Sequence, residues 1–346
     1  QTVHDVVEQW DAIHHHPTVL EREIQALANV FHIMPDGSLK PSSDGFLICL
    51  GDGLSREEWQ WLQERWDLAF TQPPLHTDGV TVVWSDAAYR AQMADFIKTR
   101  SWNTHRLVAE LMGAGATMQA TINVKYLKQA KGAILVPNPH LLPAEELASV
   151  MQYQGGPIIL IGRKVASLPS ADFEFSDVYP PHELWCGVYG TGSETEITEV
   201  EIIQDEAETP LGDLTVITAP RSYWTHLTYR KVSPSFLKAC AETLQQVSQA
   251  LTVTSDQGAV ALMPVKQADG RIRMAIKSRS LSYARPEIDV GKPVKSVKVL
   301  TDFPSVAIHP QGSKFSVRVP GRGIIVVEIE LEEMKTAPVS TKGQKQ

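Results

Sequence analysis

Cysteine is scarce in this chain: three in 346 residues, Cys49, Cys186 and Cys240, far apart. That spacing makes neither a disulfide framework nor a zinc ligand set. A reducing, cytoplasmic setting is therefore expected, without a metal or other cofactor. A basic excess is missing too. With 32 Lys and Arg against 40 Asp and Glu, the formal net charge is -8. A nucleic-acid partner needs a cationic face, so none is expected. Long apolar runs are absent: stretches such as Gly323–Val327 fall far short of the ~20 residues that span a bilayer, and no membrane partner is expected. The chain opens at Gln1 without methionine or a signal-like apolar segment. Its first residues read as helical, as in a fragment or a processed product. Tryptophan runs out as well. All eight lie at or before Trp224, and the last hundred residues are rich in Lys, Arg, Val and Ile. That shift places a domain boundary near residue 250.

What is present falls into three stretches. In residues 17–31, Leu20, Ile24, Leu27 and Phe31 recur at helical spacing. Pro17 suits the first helical position, where its missing N–H costs nothing. "MPDGSLKPSSDG" then reads as a loop. Phe46–Leu50 is a short apolar run bounded by glycines, as in a buried strand. Ser55 and Glu58 form a capping box that opens the next helix, with Trp59, Leu62 and Trp66 on its apolar face. From residue 79 strands and helices alternate: strands at 80–84, 117–122, 133–136 and 157–161, helices at 101–115 and 143–153. This is the pattern of an open parallel sheet with helices on both faces. Residues 170–232 are strand-rich and harder to read, and a helix over 233–251 closes the domain. Beyond Thr252, "GRIRMAIKSRS", "VKSVKVL" and "KFSVRVP" alternate polar and apolar residues, as half-buried antiparallel strands do. "GRGIIVVEIEL" is a more buried last strand. A small β-sandwich of roughly seven or eight strands is expected, then a disordered tail over 336–346.

The candidate chemical motifs are weak one by one. Gly51-Asp52-Gly53 lacks the third glycine of a dinucleotide fingerprint, and no P-loop lysine follows. Cys49 sits within an apolar run, as a small hydrophobe does, and Leu47 is too large for a nucleophile elbow. His14, His15 and His16 are consecutive, so they cannot all face one ion from a regular element. A solvated helix cap, with His16 as the capping residue, suits them better. His105, His140, His182 and His226 are single. Glu57-Glu58 and Glu145-Glu146 stand in first helical turns, where they favour the macrodipole. They do not form a glycosidase pair, which needs two carboxylates facing each other across a cleft.

Two comparisons go further. The second stretch invites comparison with glutamine amidotransferases, in which a cysteine stands on the turn after a central strand. The matching turns here, "PNPH" at 137–140 and "IGRKV" at 161–165, carry neither cysteine nor serine. More broadly, "GVTVVWSDAAYRAQMADF", "THRLVAELMGAGA", "GAILVPNPHLLPAEELASVMQYQGGPIILIG" and "FSVRVPGRGIIVVEIE" resemble the C-terminal half of β-galactosidase-type TIM-barrel glycoside hydrolases. In that family the barrel is followed by an amidotransferase-like α/β domain, often used for trimerisation, and then by a β-sandwich.

The resemblance implies α/β plus all-β architecture in three parts. Residues 1–78 would be the incomplete end of a barrel, 79–251 an amidotransferase-like (flavodoxin-like) domain, and 252–335 the sandwich. Barrel sites lie at the C-terminal ends of the strands. On that reading Gly51-Asp52-Gly53 faces the mouth, and Asp52 either binds a sugar hydroxyl or caps its own backbone in a tight turn. About 78 residues cannot hold the ~200 or more of a full barrel, so the catalytic carboxylates are expected upstream. The implied role is an accessory, homotrimerising portion of a carbohydrate-active enzyme, inactive alone. Two alternatives stand: a free-standing cysteine hydrolase of amidotransferase-like fold, and a non-catalytic carbohydrate-binding or scaffold protein. The last would line one groove with aromatics such as Trp59, Trp61, Trp185 and Trp224.

Overall fold

In the computed structural model the described residues are 12–15, 17–43, 54–70, 76–118, 120–177, 184–191, 229, 232–248, 254–257, 260–267, 269–278, 280–302 and 307–332. The described residues begin with helices α1 (Ala12–His15) and α2 (Pro17–Ala28), the latter starting on Pro17 as the sequence predicts. The chain continues through a hairpin, β1 (Phe31–Ile33) and β2 (Leu39–Pro41), to α3 (Arg56–Phe70) and β3 (His76–Thr77). The α3 start carries the predicted capping box: Glu58 N–H donates to Ser55 Oγ at 3.2 Å, and Ser55 N–H to Glu58 Oε2 at 2.6 Å.

Next come β4 (Thr81–Trp84), α4 (Asp86–Thr99), α5 (Thr104–Gly113), β5 (Ala120–Asn123), β6 (Ile134–Pro137), α6 (Ala144–Met151), β7 (Ile158–Arg163), β8 (Phe173–Ser176), β9 (Leu184–Tyr189) and α7 (Pro234–Ser248). The remainder is β10 (Thr254–Ser255), β11 (Val260–Lys266), β12 (Ile272–Ser278), β13 (Glu287–Asp289), β14 (Val294–Val299), β15 (Lys314–Ser316) and β16 (Ile324–Leu331).

One sheet has eight strands, in the order β2-β1-β5-β4-β6-β7-β9-β8. Strands β1, β5, β4, β6 and β7 run parallel, while β2, β9 and β8 add antiparallel edges. The expected parallel sheet is thus mixed. Both faces are covered. Leu135, Ile159 and Ile161 pack with Leu107 and Leu111 of α5 and Phe236 and Leu244 of α7. Ile134, Val136 and Leu160 pack with Val150 of α6. The alternation of neighbouring strand residues between the two clusters follows from the two-residue period of a strand.

Two antiparallel sheets, β10-β13-β15 and β14-β16-β12-β11-β3, enclose a second core of Ile272, Met274, Ile276, Ile288, Phe315, Ile325, Val327 and Ile329. The expectation of a half-buried strand is corrected at β12, while β16 is the more buried last strand that the sequence predicts. Ala275, Ile324 and Val326 on their other face form a further cluster, against which Met112 of α5 packs. That face meets the α/β unit rather than water, so both sides of these strands are dry.

The N-terminal stretch is distributed between the two units. The loop expected over residues 34–45 instead contains β2, and Phe31, expected at a helix end, opens β1, which pairs in parallel with β5. Strand β3 pairs with β11. Helices α2 and α3 pack through Leu20, Ile24, Leu62 and Ala69, and Arg22 Nη1 donates to Arg322 O at 2.6 Å. Helix α4 was not anticipated. Its start is capped by Ser85 Oγ, which accepts from Ala88 N–H, and its end by Arg100 in a left-handed conformation, φ 60.

Candidate functional site

From β4 the chain crosses first to β5 on one side and then to β6 on the other. Ligand crevices of open α/β sheets lie at such a switch point, beyond the C-terminal ends of the strands. On the β4 side, Trp84 Nε1 donates to Asp86 Oδ1 at 3.1 Å, with Asn123 Nδ2 and Lys125 Nζ each 3.5 Å from Oδ2. Donors, the Trp84 indole foremost, hold the Asp86 carboxyl below its ordinary pKa. Trp84 and Tyr89 lie 4.8 Å apart between ring centroids, with the His105 ring 6.2 Å from each. Ser85 Oγ donates to Glu146 Oε2 at 2.5 Å.

On the β6 side the strand ends in a tight turn at Asn138, which is left-handed (φ 52, ψ 55) and 3% exposed. Its N–H donates to Ile161 O at 2.7 Å and its amide Nδ2 to Trp102 O at 3.0 Å. The turn lies so close to β7 that a Cβ on Gly162 would meet Asn138 Cα at 2.8 Å. Glycine is required there by contact. A sharp, strained turn after a buried strand is the geometry of a nucleophile elbow, yet the residue on it is an amide with no nucleophilic atom.

His140 follows. Burial, then the positive charge of Arg163, push its pKa down to about 4, against the opposing pull of Asp95. The ring is therefore neutral near pH 7. Neither ring nitrogen has a hydrogen-bond partner among the described residues, and Nε2 is 3.6 Å from Asp95 Oδ2. Arg163 pairs with Asp95. No hydrogen bond connects His140 to Ser85 or Glu146, so imidazole, hydroxyl and carboxylate do not form a relay.

The cysteine candidates are inert where they are described. Cys186 on β9 and Cys240 on α7 are free and fully buried. Burial, and then the neighbouring Cys186, raise the Cys240 thiol well above its ordinary pKa; nucleophilic cysteines have the opposite character. Cys49 and Asp52, together with His16, His182, His226 and Trp224, lie outside the described residues. The three described candidate tryptophans do not share a groove. Trp185 is in the core at 2% exposure, Trp59 is on the surface at 58%, and Trp61 is half-buried with its indole donating to Asp302. His14 contacts Glu58. Among the described residues no group of three or more His, Cys, Asp or Glu could hold a metal ion. None of their helices is long and apolar enough to cross a membrane.

The sequence pointed to the turn at Asn138 and His140 but passed over Ser85 and Asp86. The signal for them was available, since a strand followed by Ser-Asp is a helix-start signature.

No family model matches the chain, and no curated protein matches it. Solved structures overlap it distantly. Gan42B, a GH42 beta-galactosidase, aligns at TM-score 0.40 and 10% identity over 80% of this chain and 43% of its own. A catalytic mutant of Gan42B from G. stearothermophilus aligns at TM-score 0.39 and 10% identity, over 79% of this chain and 43% of that one. An alpha-L-fucosidase isoenzyme 2 from Paenibacillus thiaminolyticus aligns at 0.39 and 9%, over 92% and 58%. The chain thus spans less than half the length of the beta-galactosidase. Likeness at this level assigns neither family nor activity.

Proposed function

We propose that this chain is a non-catalytic portion of a larger carbohydrate-active glycoside hydrolase, serving assembly and support, with the catalytic carboxylates upstream. The observation that carries the non-catalytic part is Asn138. Among the described residues, the strained turn at the switch point holds an amide that is committed to the Trp102 carbonyl. The order of units supports the parentage: an α/β sheet domain and then an antiparallel sandwich, as in the β-galactosidase-type enzymes that the sequence resembles. On this reading Asp52 faces the mouth of the parent's barrel and contacts a sugar hydroxyl. Free, buried Cys186 and Cys240 support a cytoplasmic setting. They speak against the cysteine-hydrolase alternative.

Self-association, as a trimer in the look-alike family, is part of the proposal. Tyr89, Met93 and Ile97 stand at successive i, i+4 positions on α4 and are 48%, 63% and 50% exposed. Residues so spaced share one helix face, and an exposed apolar ridge suits an interface. The test has two readouts on the purified 346-residue chain. Nitrophenyl glycosides should not turn over, and light scattering should give a particle larger than a monomer that Met93→Glu/Ile97→Glu reduces in size. Robust glycosidase activity abolished by one carboxylate substitution within the chain would overturn the non-catalytic reading. A strict monomer would remove the assembly role.

A further inference from the structure

We infer that the open edge of the β-sandwich binds a small carboxylate carried on a compact, largely apolar ring. A cavity of about 250 Å³ opens there, lined from both sheets. Val317 is buried, and Val299 and Ile308 are half-buried, so the interior is apolar; Arg285, Ser316 and Arg318 are exposed at the rim.

The two arginines are the unusual feature. Ala284 bridges Val319 in antiparallel register, which sets Arg285 beside Arg318 on adjacent strands. Like charges directly across a ladder are destabilising. Elsewhere on the same ladder the cation is paired, Lys314 Nζ lying 2.8 Å from Glu287 Oε1. Arg285 has no hydrogen bond or ion pair among the described residues. Arg318 lies over the Tyr283 ring at 4.2 Å, a cation–π contact that fixes its plane without neutralising it. In a chain of net charge -8, two adjacent guanidiniums, neither ion-paired among the described residues, make a local positive spot over an apolar hollow.

Guanidinium forks match planar, two-oxygen anions bidentately. The apolar interior asks for a carbon skeleton attached to the anion, which inorganic phosphate lacks. The volume is slightly below the ~300–1,000 Å³ typical of drug-sized ligands, which suits one ring rather than a chain of rings. Ser316 adds a hydroxyl donor and acceptor at the rim, suited to a ring substituent. A uronic acid carries the same carboxylate on a more polar, hydroxylated ring; extending the inference to it rests on the carbohydrate reading above, and the site itself does not.

Calorimetric titration of the full chain at low salt tests this, with cyclohexanecarboxylate, galacturonate, galactose and inorganic phosphate as probes. Saturable binding of cyclohexanecarboxylate is expected, and none of galactose. Arg285→Gln and Arg318→Gln should each weaken binding about tenfold or more, as loss of a charge-assisted hydrogen bond does. Both side chains are exposed and each substitution relieves the like-charge pair, so melting temperatures should not fall and a loss of binding cannot be ascribed to misfolding. Galacturonate binding with the same arginine dependence supports the uronic acid. Binding of cyclohexanecarboxylate alone supports the site and removes the sugar. Absence of saturable binding by either carboxylate, phosphate binding as tightly as they do, or unchanged affinity in both variants would overturn the inference.

Discussion

Arg65→Leu should cost about 3–5 kcal/mol of stability near neutral pH, the range for removing one partner of a buried ion pair. The geometry places this substitution in that class. Glu21 on α2 is 2% exposed and Arg65 on α3 is 9% exposed. Arg65 Nη1 donates to Glu21 Oε1 at 2.8 Å, and the same oxygen accepts from the Asp302 backbone N–H at 3.2 Å. One carboxylate thereby joins α2, α3 and a loop of the sandwich. Burial raises the Glu21 pKa above its ordinary 4.5, with Arg65 pulling the other way. Leucine would leave a buried negative charge with only the backbone donor, and the pKa would rise further.

The pH dependence follows in sign. A carboxyl whose folded pKa is raised binds its proton more tightly in the native state than in the unfolded one. Its cost is full above the folded pKa and shrinks as pH falls through it toward the unfolded value. The stability deficit of Arg65→Leu should therefore narrow as pH falls from neutral toward 4.5, the ordinary carboxyl value. Urea unfolding, followed through the tryptophans of α3, measures it. Glu21→Gln/Arg65→Leu should recover much of the loss at neutral pH, because no charge then remains buried. A deficit equal at both pH values, together with no recovery in the double variant, would refute the buried-charge argument.

Gly162→Ala should destabilise by about 1–3 kcal/mol, the usual cost of overpacking, since its Cβ would meet the Asn138 turn at 2.8 Å; thermal melts show it. His140, with its pKa lowered to about 4, takes up a proton more readily unfolded than folded, so stability should fall as pH drops from about 6.5 toward 4. His140→Leu should flatten that part of the stability–pH curve. Alkylation of Cys186 and Cys240 should proceed at the unfolding rate rather than at the rate of an exposed thiol, and labelling followed by mass spectrometry reads it. In a full-length parent enzyme, Asp52→Ala should raise KM or lower kcat moderately, short of the loss from a catalytic glutamate.

Much of the local structure was written in short stretches of sequence. Pro17 opens α2, Ser55 and Glu58 cap α3, and the alternation beyond residue 79 gives the strands and helices of the large sheet. Caps and periodicities are decided by residues a few positions apart, so they can be read without the fold. The turn at Asn138 was legible as a turn without a nucleophile, but its left-handed backbone was not, because hydrogen bonds to Ile161 O and Trp102 O, on segments distant in sequence, hold the residue there. Helix α4 went unseen because its exposed ridge of Tyr89, Met93 and Ile97 gives no clean polar face.

Other features arise only when distant segments meet. Whether β12 is half-buried or buried on both faces depends on α5 reaching its outer side. Whether residues 31–41 form a loop or two strands depends on the free edge of β5 that accepts β1. The Glu21–Arg65 pair, the Cys186–Cys240 neighbourhood and the juxtaposed Arg285 and Arg318 join positions that no spacing in the sequence connects. Amino-acid sequence fixes the preference of each short segment, but burial and the local dielectric are set by whatever packs against it, and charge and pKa follow those surroundings.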